Sequence, residues 1–268
     1  MKKTIILLCV VLLIGACSSH KAKKPLPASP PETEYLGFNA PAWLWQIPSG
    51  SYAVGFGFTD TFYSNRADSL AREFAAVSLS RNHSAFVVDK QAVYNWASAS
   101  QSDWSSAGIK VVVSADMDYL KRANRTLKVI DAVDLQGYRI GLFGFIDGSV
   151  DNSTKPMRIE ELPPWCVDES TELKGSTVIC VASAVAASLP DAWNLAQEKA
   201  LSLIGKYRIQ KVRALFDSTD DIGQRRLAVE TVTKNYKAYL DKSFIVPQRK
   251  EKLISYRVYI QLKSSDVQ

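Results

Sequence analysis

Few residues in this 268-residue chain have the type and spacing that chemistry requires. Gly55-Phe56-Gly57 follows a strand-like run and precedes a helix-like one, where a dinucleotide-binding turn would cradle a pyrophosphate. That turn needs a third glycine for close helix packing, and Asp60 stands in its place. The helical pattern also begins several residues late, too far for its N-terminus to hold a phosphate. The two glycines therefore read as a bulge or a close backbone approach. Of the two histidines, His20 lies near the N-terminus and His83 ends a helical pattern beside Asn82. His83 has no cysteine or histidine at ligand spacing, which argues against zinc. A Ser–His–Asp triad would have to use it, in a chain without a G-x-S-x-G turn. A cation at a helix C-terminus suits the helix dipole, and that is the role expected of His83. Glu160-Glu161 and Asp220-Asp221 are adjacent carboxylates, which point apart on a strand or loop and make poor acid/base dyads. The second pair suits the first turn of a helix capped by Ser218 or Thr219. No catalytic residue, metal or cofactor is expected, and the chain reads as a non-enzyme.

Cys17 is the residue with a definable chemical fate. Met1-Lys2-Lys3 gives a short cationic start, Thr4 to Ile14 is almost unbroken apolar sequence, and Gly15 and Ala16 are small. Together these make an export signal. The apolar run is too short for a finished membrane span, which needs about 20 residues. Cys17 follows directly, so Leu13-Ile14-Gly15-Ala16-Cys17 resembles the lipobox of bacterial lipoproteins. The resemblance implies a diacylglycerol on the Cys17 thiol, cleavage before it, and acylation of the new amine. The other reading is an ordinary secretory signal with a cysteine beside its cut. Ser18, rather than an aspartate, follows the cysteine. In lipoprotein families this implies the outer membrane, with the periplasmic face expected here. Ser18 to Glu34 is rich in Pro, Ser, Lys and Ala and nearly lacks large apolar residues, so it reads as a flexible tether.

Composition narrows the rest. The net charge of +6 includes Lys2 and Lys3, whose removal with the signal leaves about +4. No dense basic patch is interleaved with aromatics, which argues against nucleic acid. Of four cysteines, Cys9 leaves with the signal and Cys17 takes the lipid. Cys166 and Cys180 remain, in a compartment where disulfides persist. They read either as a disulfide or as two separate buried thiols, and sequence alone does not supply the Cα separation that decides.

The chain repeats itself. Pro41-Ala42-Trp43 opens one copy and Pro163-Pro164-Trp165 the other. Each leads to a strand-like run, Tyr52 to Gly57 and Thr177 to Ala182, and then to an amphipathic helix. Ala67, Leu70, Ala71, Glu73 and Ala75 match Ala192, Leu195, Ala196, Glu198 and Ala200 without a gap. Short strands are expected at Ala85 to Asp89 and Arg208 to Leu215. Second helices are expected over Ile109 to Leu120 and Ile222 to Leu240. Tyr138 to Leu142 and Tyr256 to Ile260 close the two copies as paired strands.

This order gives an α+β fold in two tandem domains, each a mainly antiparallel sheet with helices on one face. The expected parts are a signal at 1–16, a lipid tether at 17–38, a first domain at 39–148, a linker at 149–161 and a second domain at 162–268. Trp43 and Trp165 recur and are expected to anchor the core. Trp96 and Trp104 do not recur and lie around a Ser- and Ala-rich stretch, where they read as core or as interface anchors.

The P-x-W opening, the Tyr-Ala-Val-Gly strand, the helix Ala67-Asp68-Ser69-Leu70-Ala71-Arg72-Glu73-Phe74-Ala75 and the closing Tyr138-Arg139-Ile140-Gly141-Leu142-Phe143-Gly144-Phe145 form a set. They resemble the twenty-kilodalton bacterial lipoprotein (Lpp-twenty) family, which includes FlgP-type outer-membrane lipoproteins. The resemblance implies a structural or interaction module, in a flagellum-associated or other symmetric assembly. Its implied partners are the membrane, through Cys17, and envelope proteins or further copies of the chain. Regulation of a peptidoglycan synthase and carriage of a periplasmic ligand are the alternatives.

Overall fold

In the computed structural model of the chain, residues 34–35, 39–44, 54–60, 65–87, 111–113, 116–145, 157–158, 162–218, 236–250 and 253–265 are described. They begin with β1 (Glu34–Tyr35), β2 (Asn39–Ala40) and a 3-10 turn over Ala42–Leu44. Then come β3 (Val54–Asp60), helix α1 (Ala67–His83), β4 (Ala85–Val87), β5 (Val111–Val113) and helix α2 (Met117–Thr126). A hairpin follows, β6 (Lys128–Leu135) and β7 (Tyr138–Gly144), then β8 (Met157–Arg158). The second half holds β9 (Glu169–Lys174), β10 (Thr177–Ala186), helix α3 (Leu189–Ser218), β11 (Tyr239–Lys250) and β12 (Leu253–Ser265).

The fold is α+β, as the element order implied. Its larger sheet runs β1-β11-β12-β10-β9, and its four long strands pair antiparallel. A second antiparallel sheet runs β3-β7-β6. The duplication is visible in this topology. The strand before each main helix, β3 or β10, pairs with the last strand of the following hairpin, β7 or β12. Burial repeats as well: Ala67, Ala71 and Ala75 of α1 and Ala192, Ala196 and Ala200 of α3 are all buried. Alanine on the inner stripe lets a helix axis come close to the sheet. Gly57 carries this furthest, because a Cβ there would lie 1.8 Å from the Ala71 carbonyl oxygen. The paired glycines of β3 are thus the close backbone approach expected of them.

Residues Tyr35–Gln268 form one compact unit rather than two separate ones. One continuous core holds Trp43, Phe56, Phe58, Ile140 and Leu142 from the first half with Trp193, Ile204, Ile245 and Ile260 from the second. The expected linker also takes part, since Met157 and Arg158 in β8 pair with Ala40 and Asn39 in β2.

Three other expectations change. Arg208 to Leu215 is not a strand, because α3 continues to Ser218. Arg208 sits four residues after Ile204, so it extends the buried stripe of α3, where its guanidinium donates to the Ser265 carbonyl at 3.1 Å. Val111-Val112-Val113 is a strand, paired with β4, and the helix begins only at Met117. There the β-branched preference outweighed an apparent helical spacing. In the expected helix Ile222 to Leu240, residues 219–235 lie outside the described residues, while Tyr236 bridges to Ala85 and Tyr239 opens β11.

Candidate functional site

Helix α1 presents Leu70, Glu73, Phe74, Val77 and Arg81 along one face, at the three- and four-residue steps that bring side chains into a row. This row, the end of β3 and the first turns of α3 enclose an open cleft of about 400 Å³. Phe58 and Phe74 form its floor, edge to face at 5.3 Å, and Trp193 of α3 backs Phe58 at 4.9 Å. Thr59, Asp60, Glu73, Arg81 and Asn194 supply the polar lining, with Pro190 completing the wall. A few polar groups around an apolar floor, in a volume of about 300–1,000 Å³, is the usual form of a small-ligand site.

The polar groups are sorted by charge along the cleft. Gly57 of β3 lies against Ala71, and Gly55 against Leu79 and Ala75, so β3 runs toward the N-terminal end of α1. Asp60, at the end of β3, therefore lies at the Leu70–Glu73 end. Arg81 lies at the other, where its Nη1–H donates to Asn194 Oδ1 at 2.7 Å. That bond occupies the amide oxygen and leaves the Asn194 NH₂ group as a donor. Among the described residues Arg81 has no carboxylate partner.

Beside the cleft, α1 and α3 are joined by a buried polar seam. Gln197 Nε2 donates to the Ser78 carbonyl and to Asn82 Oδ1, each at 2.7 Å. Ser78 Oγ–H donates to Gln197 Oε1 at 3.2 Å and accepts from Trp193 Nε1–H at 3.3 Å. Each of these buried polar groups is thereby satisfied, which such groups require.

His83 is the last residue of α1, as expected, and it gains a partner that sequence spacing did not reveal. Its Nδ1 lies 3.1 Å from Asp116 Oδ2, and its ring stacks on Tyr119 at 4.2 Å. Asp116 Oδ1 also accepts the Tyr119 and Asp118 N–H groups, making it the N-cap of α2. The Tyr119 N–H is the main cause that holds this carboxyl below its ordinary range; His83 and the Asp118 N–H add to it, against desolvation. The arrangement pins the end of α1 to the start of α2.

The two thiols of the second half are free. Cys180 is buried, donates to Thr171 Oγ1 at 3.6 Å, and is pushed up to about 11 by burial. Burial pushes Cys166 up to about 12, with the Lys242 cation opposing. The structure therefore carries these residues as separate thiols in place of a disulfide. Trp43 is buried as expected, its Nε1–H donating to Asp131 Oδ2 at 2.7 Å. Trp165 is half-buried against the same core, with the Lys242 ammonium 5.8 Å from its ring centre. Cys17, His20, Trp96, Trp104, Glu160-Glu161 and Asp220-Asp221 lie outside the described residues.

Of the cleft residues, the helical pattern in the sequence singles out Leu70, Glu73 and Phe74, and neither Arg81 nor Asn194. The helical spacing of Leu70, Phe74, Val77 and Arg81 was legible, but the approach of α3 that turns this row into a cleft was not. Among the described residues no helix is long and apolar enough to cross a membrane. Comparison of the chain with protein-family models, curated proteins and solved structures finds no match.

Proposed function

We propose that this chain is a lipid-anchored envelope protein, held at the outer membrane by acyl chains on Cys17, that serves as a non-enzymatic structural or interaction module. The observation that carries the reading is Leu13-Ile14-Gly15-Ala16-Cys17 at the end of an apolar, lysine-led run. Ser18 and the Pro-, Ser- and Lys-rich segment to Glu34 support it, as a tether between membrane and folded body. The resemblance to Lpp-twenty lipoproteins supports the same assignment and favours a place in a symmetric envelope assembly. Each buried acyl methylene contributes about 0.8 kcal/mol, so several chains hold a protein on a bilayer almost permanently.

Cell fractionation with a clickable fatty acid tests the anchor. The wild-type chain takes up label and sediments with outer membrane, while Cys17→Ser is unlabelled, folded and soluble in the periplasm. A Cys17→Ser chain that stays wholly in the membrane fraction overturns the anchor. Crosslinking in intact cells tests the module, and a protein that yields no neighbours and no self-crosslink overturns that part.

A further inference from the structure

The cleft between α1 and α3 has a built-in polarity. At one end stand Glu73, exposed and without an ion pair among the described residues, and Asp60. At the other end Arg81 and the Asn194 NH₂ group converge as donors, with no carboxylate among the described residues to neutralise the guanidinium. Between them lies the apolar floor of Phe58, Phe74 and Val77. Glu73 and Arg81 belong to one helix and stand about 12 Å apart along its axis at 1.5 Å per residue.

We infer that this cleft binds a short free-ended peptide of about four residues, its ammonium toward Glu73 and its carboxylate on Arg81 and Asn194. Length sets the first constraint, since an extended peptide spans about 3.3–3.6 Å per residue and four residues match the separation of the charged ends. Charge sets the second. A purely anionic amphiphile would lay its tail along the Glu73 carboxylate, whereas a zwitterion satisfies both ends. Geometry sets the third, because a planar guanidinium takes a carboxylate through paired N–H donors. Small or aliphatic side chains suit the floor, whose aromatic rings are already packed against one another. The inference does not depend on the lipid anchor, and the Cys17→Ser chain binds the peptide equally.

The test is calorimetric titration of the full chain, in detergent, with Ala-Val-Leu-Ala, its C-terminal amide and its N-acetyl form. The free-ended peptide saturates one site, and blocking either end weakens binding about tenfold through loss of a charge-assisted contact. In Arg81→Gln the acid and the amide bind alike, while Arg81→Lys keeps a preference for the acid. In Glu73→Gln the free and acetylated forms bind alike. Circular dichroism melts matching wild type show that each variant is folded. Three results overturn the inference: no saturable binding to the wild-type chain, an acid preference that survives Arg81→Gln, or laurate binding as tightly as the peptide and unchanged in Glu73→Gln.

Discussion

Tyr138 and Tyr256, which occupy matching places in the two copies, meet edge to face with ring centres 5.4 Å apart. Tyr138 pairs with Asp60 at the end of β3, and Tyr256 with Ala186 at the end of β10. Their hydroxyls also cross the boundary between halves. Tyr138 accepts the Leu189 N–H at 3.4 Å, and Tyr256 donates to the Gln136 carbonyl at 3.3 Å. An edge-to-face aromatic pair contributes about 0.5–1.5 kcal/mol beyond its burial. A double-mutant cycle of Tyr138→Ala and Tyr256→Ala, followed by urea unfolding, should return a coupling of that size. Additivity would mean that the rings are neighbours without holding the halves together.

Gln197 is the hub of the seam, 1% exposed and bonded to Ser78 and Asn82. Gln197→Leu keeps much of the volume and strands the Ser78 hydroxyl and the Asn82 side-chain oxygen. An unsatisfied buried polar group costs about 1–3 kcal/mol, so the loss should be at least about 2 kcal/mol in denaturant midpoint experiments. A change within about 0.5 kcal/mol, the range of ordinary surface substitutions, would show that water reaches the seam.

The two glycines of β3 should differ in what they tolerate. A Cβ on Gly57 meets Ala71 backbone at 1.8 Å, whereas one on Gly55 meets the Leu79 side chain at 2.8 Å. A side chain can rotate, but a helix backbone must move as a body. Gly57→Ala should therefore cost about 3 kcal/mol or more, and Gly55→Ala about 1 kcal/mol, in thermal melts. Equal costs would contradict the tight seating of α1 on β3.

Asp116 combines a cap with a side-chain contact to His83. Asp116→Ala loses the cap and should cost about 1 kcal/mol. Asp116→Asn keeps an acceptor for Tyr119 and should cost less. Because the native carboxyl lies below its ordinary value of 3.8, its contribution is present above that pH and lost as pH falls through the lowered native value. Acid unfolding of the wild type should therefore be eased by Asp116→Asn, with the difference between the two narrowing at the lowest pH.

The thiols set an alkaline limit. Both have native values raised from 9.0, to about 12 for Cys166 and about 11 for Cys180. The native state keeps the proton longer than the unfolded one, so this stability is full below pH 9 and lost as pH rises through about 11–12. Unfolding free energy of wild type should fall between pH 9 and 11 more steeply than that of Cys166→Ala/Cys180→Ala, for the same two values. Maleimide should also react slowly with the folded protein at neutral pH, since the thiolate is the reactive form.

The duplication was legible because both copies use the same local code. An alanine stripe on each helix and a hairpin after it sufficed to place α1, α3, β7 and β12. What failed was local evidence read against tertiary context. Arg208 looked like the start of a strand until the Ser265 carbonyl and the Tyr236 ring, 5.0 Å from the guanidinium carbon, gave it a buried helical place. The pairing of β4 with β5 decided Val111 to Val113, and no helical count could foresee it. The cleft was illegible for the same reason: Arg81 and Asn194 lie 113 residues apart. The separation into two domains followed from counting repeats, but apolar residues from both copies bury one another.

The seam of Ser78, Asn82 and Gln197 has a consequence for how the chain matures. Synthesis runs from the N-terminus, so α1 emerges well before the residue that completes it. Had that meeting face been wholly apolar, the waiting first half would offer a sticky surface to any neighbour. Ser78 and Asn82 can instead be satisfied by water until Gln197 arrives and replaces it. This polar part of the meeting face is thereby satisfied at each stage, and the second copy acts as its delayed closing partner.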